Sequence, residues 1–153
     1  MPNFGYAYQT YDPVVHVRSS AREVKVSHKA AREVCTAIKG MKIQKAKTFL
    51  EDVSKLKRSV AFRRHKKEGA HRSDLGDFHT GKYPAKTAKK VLEVITNLEA
   101  NAEFKGFDTE KLILIHASAH KGRFIRGFIP RAFGRSSPSN NTLVHFELVA
   151  SEK

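Results

Sequence analysis

Apolar positions recur along the chain with two periods, and those periods predict the elements. Ala31, Val34, Cys35 and Ile38 fall at i, i+3, i+4 and i+7, the stripe of a helix that buries one side. Ser27 stands where an N-cap would, and Lys29, Arg32 and Glu33 lie off the stripe. Gly40 is placed to end the helix in the left-handed conformation. Ile43, Ala46, Phe49, Leu50 and Val53 mark a second helix, with Lys42, Lys45 and Lys47 mostly on its other side. Two short helices joined at a glycine suggest an αα-hairpin. The longest helical pattern covers 84–104, about 31 Å at 1.5 Å per residue. Pro84 suits its first position. Ala85, Ala88, Leu92, Ile95 and Ala102 mark its face, Val91 and Leu98 widen it, and Gly106 stops it.

The alternating period appears elsewhere. Val14, Val15 and Val17 form a short β-favouring run, broken by His16 and closed by Arg18-Ser19-Ser20. Leu112 to Ile115 open a strand that His116 to His120 continue. From Thr142 to Ala150, Val144, Phe146 and Leu148 alternate with His145 and Glu147. The order β-α-α-loop-α-β-hairpin-β predicts an α+β fold: three helices packed on a small antiparallel sheet with a long extended β-hairpin, about 112–150. Residues 1–13 read as an arm that needs a surface to lie on. Between Lys55 and Arg72 the periodicity dissolves, with eight Lys or Arg against the single acid Glu68, so 55–82 is expected to be a basic loop.

Charge narrows the function. The 153 residues carry 29 Lys or Arg against 15 Asp or Glu, a formal net charge of +14. Charge of this size points to a polyanionic partner, most often nucleic acid. One single RNA-binding domain, 1–153, is expected. The longest aliphatic run is four residues, Leu112 to Ile115, far short of the ~20 that span a bilayer, so no membrane is expected. The start has no apolar segment, so no secretory signal is expected. One cysteine closes no internal disulfide and builds no cysteine zinc site.

The stretch from Lys111 to Phe146 holds six Lys or Arg and no acid at all. Arms of ten residues reach ~33 Å, while a compact chain of this length has a radius of gyration of ~15 Å. The hairpin is therefore expected to run past the body. Without acids it repels itself in water and needs a partner. Arg interleaved with Phe suits RNA, whose phosphates take guanidinium groups and whose unstacked bases take aromatic faces. A surface hairpin with incidental charge is the plainer alternative.

Catalytic and metal motifs fail on their mechanics. Gly76 to Tyr83 nearly matches a phosphate-binding P-loop, but Tyr83 stands where a magnesium-holding hydroxyl belongs, and no apolar strand precedes it. His65, His71 and His79 share a cationic segment, which opposes a divalent ion. His116 and His120 are expected on one strand face ~13 Å apart, too far to share one, and read as polar contacts to RNA or solvent. Cys35 reads as buried and inert. Asp108 and Glu110 read as turn and capping residues. No nucleophile–base constellation, cofactor or metal site is expected.

Several strings together resemble a known family. Ser27-x-Lys29 opens helix one, Ile38-Lys-Gly40 closes it, and Ala46 to Leu50 lies in helix two. Ala100-Asn-Ala102-Glu ends helix three, and Pro130-Arg-Ala-Phe-Gly-Arg135 marks the hairpin tip. From about Val14 onward the chain resembles the large-subunit ribosomal protein that lines the peptide exit tunnel, twenty-second in bacterial counting and seventeenth in eukaryotic. Phe62-Arg-Arg64, Gly81-Lys-Tyr-Pro84 and Phe133 are similar to its archaeal type. The resemblance implies a cytoplasmic protein of the ribosome, not an enzyme. Its partners would be large-subunit ribosomal RNA, neighbouring ribosomal proteins and the nascent chain at the tunnel wall, with no homo-oligomer. It places Arg18, Lys25, Lys29 and Arg32 on RNA near the body and Arg123, Arg126 and Arg131 along the hairpin. Arg131, Ala132, Phe133, Gly134 and Arg135 would form the tunnel tip. The basic loop adds Arg63, Arg64, Lys66, Lys67, Arg72 and Lys82 as RNA contacts, and the hairpin adds Lys121. The rival is a free-standing basic nucleic-acid-binding regulator, which would need a base-reading helix. An enzyme of nucleotide chemistry rests only on the defective P-loop.

Overall fold

The computed structural model describes residues 5–76 and 78–152. Three long strands form the main sheet: β1 (His16–Lys25), β5 (Leu112–Ile125) and β8 (Asn141–Glu152). They run antiparallel in the order β1-β8-β5, so the C-terminal strand is central. α1 (His28–Ile38) packs chiefly on β5, α3 (Ala85–Phe104) on β1 and β8, and α2 (Ile43–Ser54) on α3. The helical stripes read from sequence, Ala31/Val34/Cys35/Ile38 and Ile43/Ala46/Phe49/Leu50/Val53, are buried. They meet Val17, Leu112, Leu114, Val144, Phe146 and Leu148 from the sheet.

Several expectations need correction. α1 and α2 do not pack as an αα-hairpin. Gly40, at φ +84°, turns the chain, and its N–H donates to Leu114 O at 2.7 Å, so the connection is tied to β5 instead. Arg18-Ser19-Ser20 does not close the first strand but lies within it, paired with Val149, Leu148 and Glu147. The buried Ser19 hydroxyl donates to Val94 O at 3.0 Å, so a polar residue fits the face against α3. Pro84 is the N-cap of α3 rather than its first residue. The buried face of α3 centres on Val91, Val94, Ile95 and Leu98, leaving Leu92 and Ala85 half-buried.

The largest departure is the basic loop. β2 (Val60–Ala61), β3 (Ala70–His71) and β4 (Thr80–Lys82) form a second antiparallel sheet, in the order β2-β4-β3. Val60 and Phe62 join the main core, and the Asp74 carboxylate accepts both the N–H (2.7 Å) and the hydroxyl (2.8 Å) of Ser59. Gly81 sits inside β4, where an added Cβ would lie 2.6 Å from Leu75 Cδ1 and 2.9 Å from Arg72 Cγ. The second glycine and the lysine of the near P-loop string therefore lie in a strand, Thr80–Lys82, and not in a loop that wraps a phosphate (Asp77 lies outside the described residues).

The N-terminal arm has its surface on the protein itself. Ala7 N–H donates to Glu147 Oε2 at 3.0 Å, and the Tyr8 ring lies 5.3 Å from that of His116. This covers the sheet face opposite the helices, where Glu147 and Val149 are buried. Residues 1–4 of the arm lie outside the described residues.

Beyond the body, β5 and β8 stay paired to Ile125↔Asn141, with register shifts at Leu114/His116 and Lys121/Phe124. β6 (Phe128–Pro130) and β7 (Ser136–Pro138) continue the hairpin to its tip. There Arg131 N–H donates to Arg135 O at 2.9 Å, and Phe133 and Gly134 both take left-handed conformations, φ +58° and +64°. Phe133 is 97% exposed.

Candidate nucleic-acid interface

The N-terminus of α1 is where the cations gather. Its first turn holds no acid, and its unpaired N–H groups carry the positive end of the helix dipole. Ser27, whose C=O accepts from Ala31 N–H at 2.9 Å, makes no side-chain cap bond. Two grooves flank this end and share Ser27 and Lys29. One, of about 590 Å³, lies against the small sheet and is lined by Arg64, Lys66, Lys67 and Lys82, with Glu68 as its acid. The other, of about 390 Å³, lies under the base of the hairpin and is lined by Lys25, Lys86 and Asn140 to Thr142. Together they make a cationic strip to which β1, α1, the small sheet, α3 and the hairpin base all contribute.

Local contacts fix this strip. Glu33 is buried, and its Oε1 accepts the N–H of Arg64 at 3.0 Å, which ties the basic segment to α1. Lys82 Nζ donates to Lys67 O at 3.1 Å. Arg63 and Lys66 lie over the Phe78 ring at 5.0 and 5.5 Å, and Arg72 lies over Tyr83 at 4.7 Å. Burial and the nearby Lys121, Lys29 and His65 push the His28 imidazole below its usual range. Sequence reading missed His28, Lys86 and the two asparagines, because only the fold brings them beside Lys25 and Lys29. Glu33 was missed because it neighbours the apolar stripe without belonging to it.

The other expected contact residues are spread out. Arg32 is half-buried on α1, and Arg18 is exposed on β1. On the hairpin, Lys121 lies 4.5 Å over the Phe124 ring and Arg126 is exposed. Arg123 donates to Glu23 at 2.8 Å, so β1 supplies the acid that the hairpin lacks. Glu23 itself sits at the β1 bulge with φ +54°. Arg131 Nε donates to Ser137 Oγ at 3.3 Å across the tip, while Ala132, Phe133, Gly134 and Arg135 are exposed.

The rings of His116 and His120 are closer than strand spacing alone predicts, with His116 half-buried and His120 exposed. Both lean over Ser118, their Nε2 atoms 3.0 and 2.9 Å from its Oγ, and approach the buried Glu147 Oε2 at 3.8 and 3.5 Å. Burial holds the His116 imidazole below its usual range, outweighing Glu147. Among the described residues no group of three His, Cys, Asp or Glu is arranged to hold a metal ion. Burial pushes the Cys35 thiol up to about 12, well away from a reactive thiolate. Asp108 accepts from Lys111 and from Glu110 N–H, a turn as expected. No helix among the described residues is long and apolar enough to cross a membrane.

The chain is 52% identical to large ribosomal subunit protein uL22 of Nitrosopumilus maritimus over 99% of each chain. It is 48% identical to the protein of the same name from Archaeoglobus fulgidus, over 98% of this chain and 97% of the relative. It is 43% identical to that of Thermofilum pendens over 99% of each. The family model described as ribosomal protein L22p/L17e matches residues 19–151, and with relatives this similar over nearly their full length, the chain belongs to that family.

Proposed function

We propose that the chain is a structural component of the large ribosomal subunit. It binds large-subunit ribosomal RNA, holds several RNA segments together, and lines the nascent-peptide exit tunnel with its hairpin tip. Membership in a family of ribosomal proteins makes it a structural protein and not an enzyme. The observation that carries the RNA reading is the strip at the N-terminus of α1, where Lys25, Lys29, Arg64, Lys66, Lys67, Lys82 and Lys86 line two joined grooves. A helix N-terminus ringed by lysines accepts phosphates by dipole, by backbone N–H and by charge together. Neighbouring ribosomal proteins and the nascent chain are further partners on this reading, and the protein works in the cytoplasm within the ribosome. The hairpin supports it as well: its apolar groups past Lys121, Phe124, Ile125, Phe128, Ile129 and Phe133, are exposed between arginines, a pattern suited to unstacked bases and phosphates. Reconstitution tests it. Labelled protein should enter large subunits assembled from their RNA and proteins, and a variant with Lys29, Lys66 and Lys82 changed to Ala should enter poorly. Equal incorporation of that variant would contradict the assignment of the strip.

A further inference from the structure

The far end of α3 carries a second basic feature, about 30 Å along a 20-residue helix from the strip. There Arg18 projects from β1 with its guanidinium carbon over two tyrosine rings of the arm, 4.7 Å from the centre of Tyr6 and 4.5 Å from that of Tyr11. Its backbone is held too, since Asn101 Nδ2 donates to Arg18 O at 3.1 Å. Lys105, the neighbouring cation, plays a different part. Its ammonium donates to Tyr11 OH (3.1 Å), Pro13 O (2.9 Å) and His16 O (3.1 Å). An ammonium has three N–H groups, so Lys105 is fully occupied in fastening the arm. The nearby Asp12 carboxylate turns back to accept Val14 N–H at 2.9 Å. Arg18 thus keeps five donors with no acceptor among the described residues, on a side chain already ordered by two rings.

We infer that Tyr6 and Tyr11 are positioning residues that hold the Arg18 guanidinium as a preformed fork for a backbone phosphate of RNA. The inference rests on the RNA-binding reading and deepens it, by naming a second phosphate site at the opposite end of α3 from the first. A planar guanidinium offers two parallel N–H groups to a phosphate, and ring faces restrain it without consuming those donors. An unrestrained arginine would lose rotamer freedom on binding, and the two rings have already removed much of it.

The test measures binding of the full chain to a complete large-subunit RNA transcript, across salt concentrations, for single and combined variants. Arg18→Ala should weaken binding about fivefold and lower the slope of log affinity against log salt by about 0.7–0.9, the loss of one phosphate. Tyr6→Leu with Tyr11→Leu should reproduce both effects. Tyr6→Phe with Tyr11→Phe, which keeps the rings, should bind almost as the parent does. Adding the leucine changes to Arg18→Ala should cost nothing more. Arg18→Lys, which keeps charge without the fork, should lose affinity in a chain whose arm is intact. Leucine effects that add to Arg18→Ala, or that leave the slope unchanged, would show the rings stacking on bases themselves and would overturn the inference. So would leucine variants that bind as the parent does. If the parent bound the transcript no better than random RNA of equal length, the broader RNA reading would fall and this inference with it.

Discussion

Glu33 on α1 and Arg64 in the basic segment are joined by one hydrogen bond, the buried carboxylate accepting the backbone N–H at 3.0 Å across 31 positions. A buried carboxylate needs such donors, and a basic segment needs an anchor if its charges are to stand in one place. Glu33→Ala should therefore destabilise the fold by about 1–3 kcal/mol and speed amide exchange at Arg64 and its neighbours more than in α3. Glu33→Gln keeps an acceptor oxygen and should lose less. Chemical denaturation with site-resolved exchange checks both.

The small sheet should respond to acid. Hydrogen bonds from Ser59 hold the Asp74 carboxyl below its ordinary value of 3.8. A folded value below the unfolded one means the contribution is present in full above the unfolded value and is lost as pH falls through the folded one. Exchange protection at Ser59 should drop below pH 4, while Asp74→Asn should flatten that dependence and weaken the sheet at neutral pH. An unchanged acid profile in Asp74→Asn would assign the loss to other groups.

Order in the free protein separates the two basic regions. Val60, Phe62 and Thr80 are buried, so their amides should exchange slowly without RNA. Amides from 126 to 136, on a two-stranded ribbon with little covering it, should exchange fast. Hydrogen exchange of the isolated chain distinguishes the two.

The hairpin tip should be separable from the body. Phe133 is exposed and held at φ +58°, a conformation that costs a phenylalanine of order 1 kcal/mol. Deleting Arg131 to Arg135 should leave the melting transition nearly unchanged and allow incorporation into large subunits. It should alter crosslinking of a stalled nascent chain at the tunnel wall. Loss of incorporation with unaltered crosslinking in Phe133→Ala would reverse this division of labour.

The legible parts of the fold were those where one period runs long enough to be read. The stripe Ala31/Val34/Cys35/Ile38 and the alternation of Val144, Phe146 and Leu148 each span two turns or five strand residues. β2, β3 and β4 have two or three residues each and no period at all, and their apolar anchors Val60 and Phe62 are scattered among cations. Strand β1 hid behind Arg18, Ser19 and Ser20 because its buried serine is satisfied by Val94 O, a partner 75 positions away. The site divides the same way. Its charges were visible one by one, but the meeting of Lys25 with Lys86, of Glu33 with Arg64, and of Arg18 with two tyrosines depends on contacts that only the folded chain makes.

The central claim is that phosphates of large-subunit RNA are neutralised at the strip around the α1 N-terminus. The salt dependence of binding to that RNA tests it most directly. Contact with about 6–10 phosphates predicts a fall in affinity of about 10³–10⁵ between 50 and 200 mM salt for duplex-like RNA, somewhat less for flexible strands. Changing Lys29, Lys66 and Lys82 to Ala should lower the slope by about 2–3. A nearly flat titration, or a slope the triple variant leaves unchanged, would contradict the account.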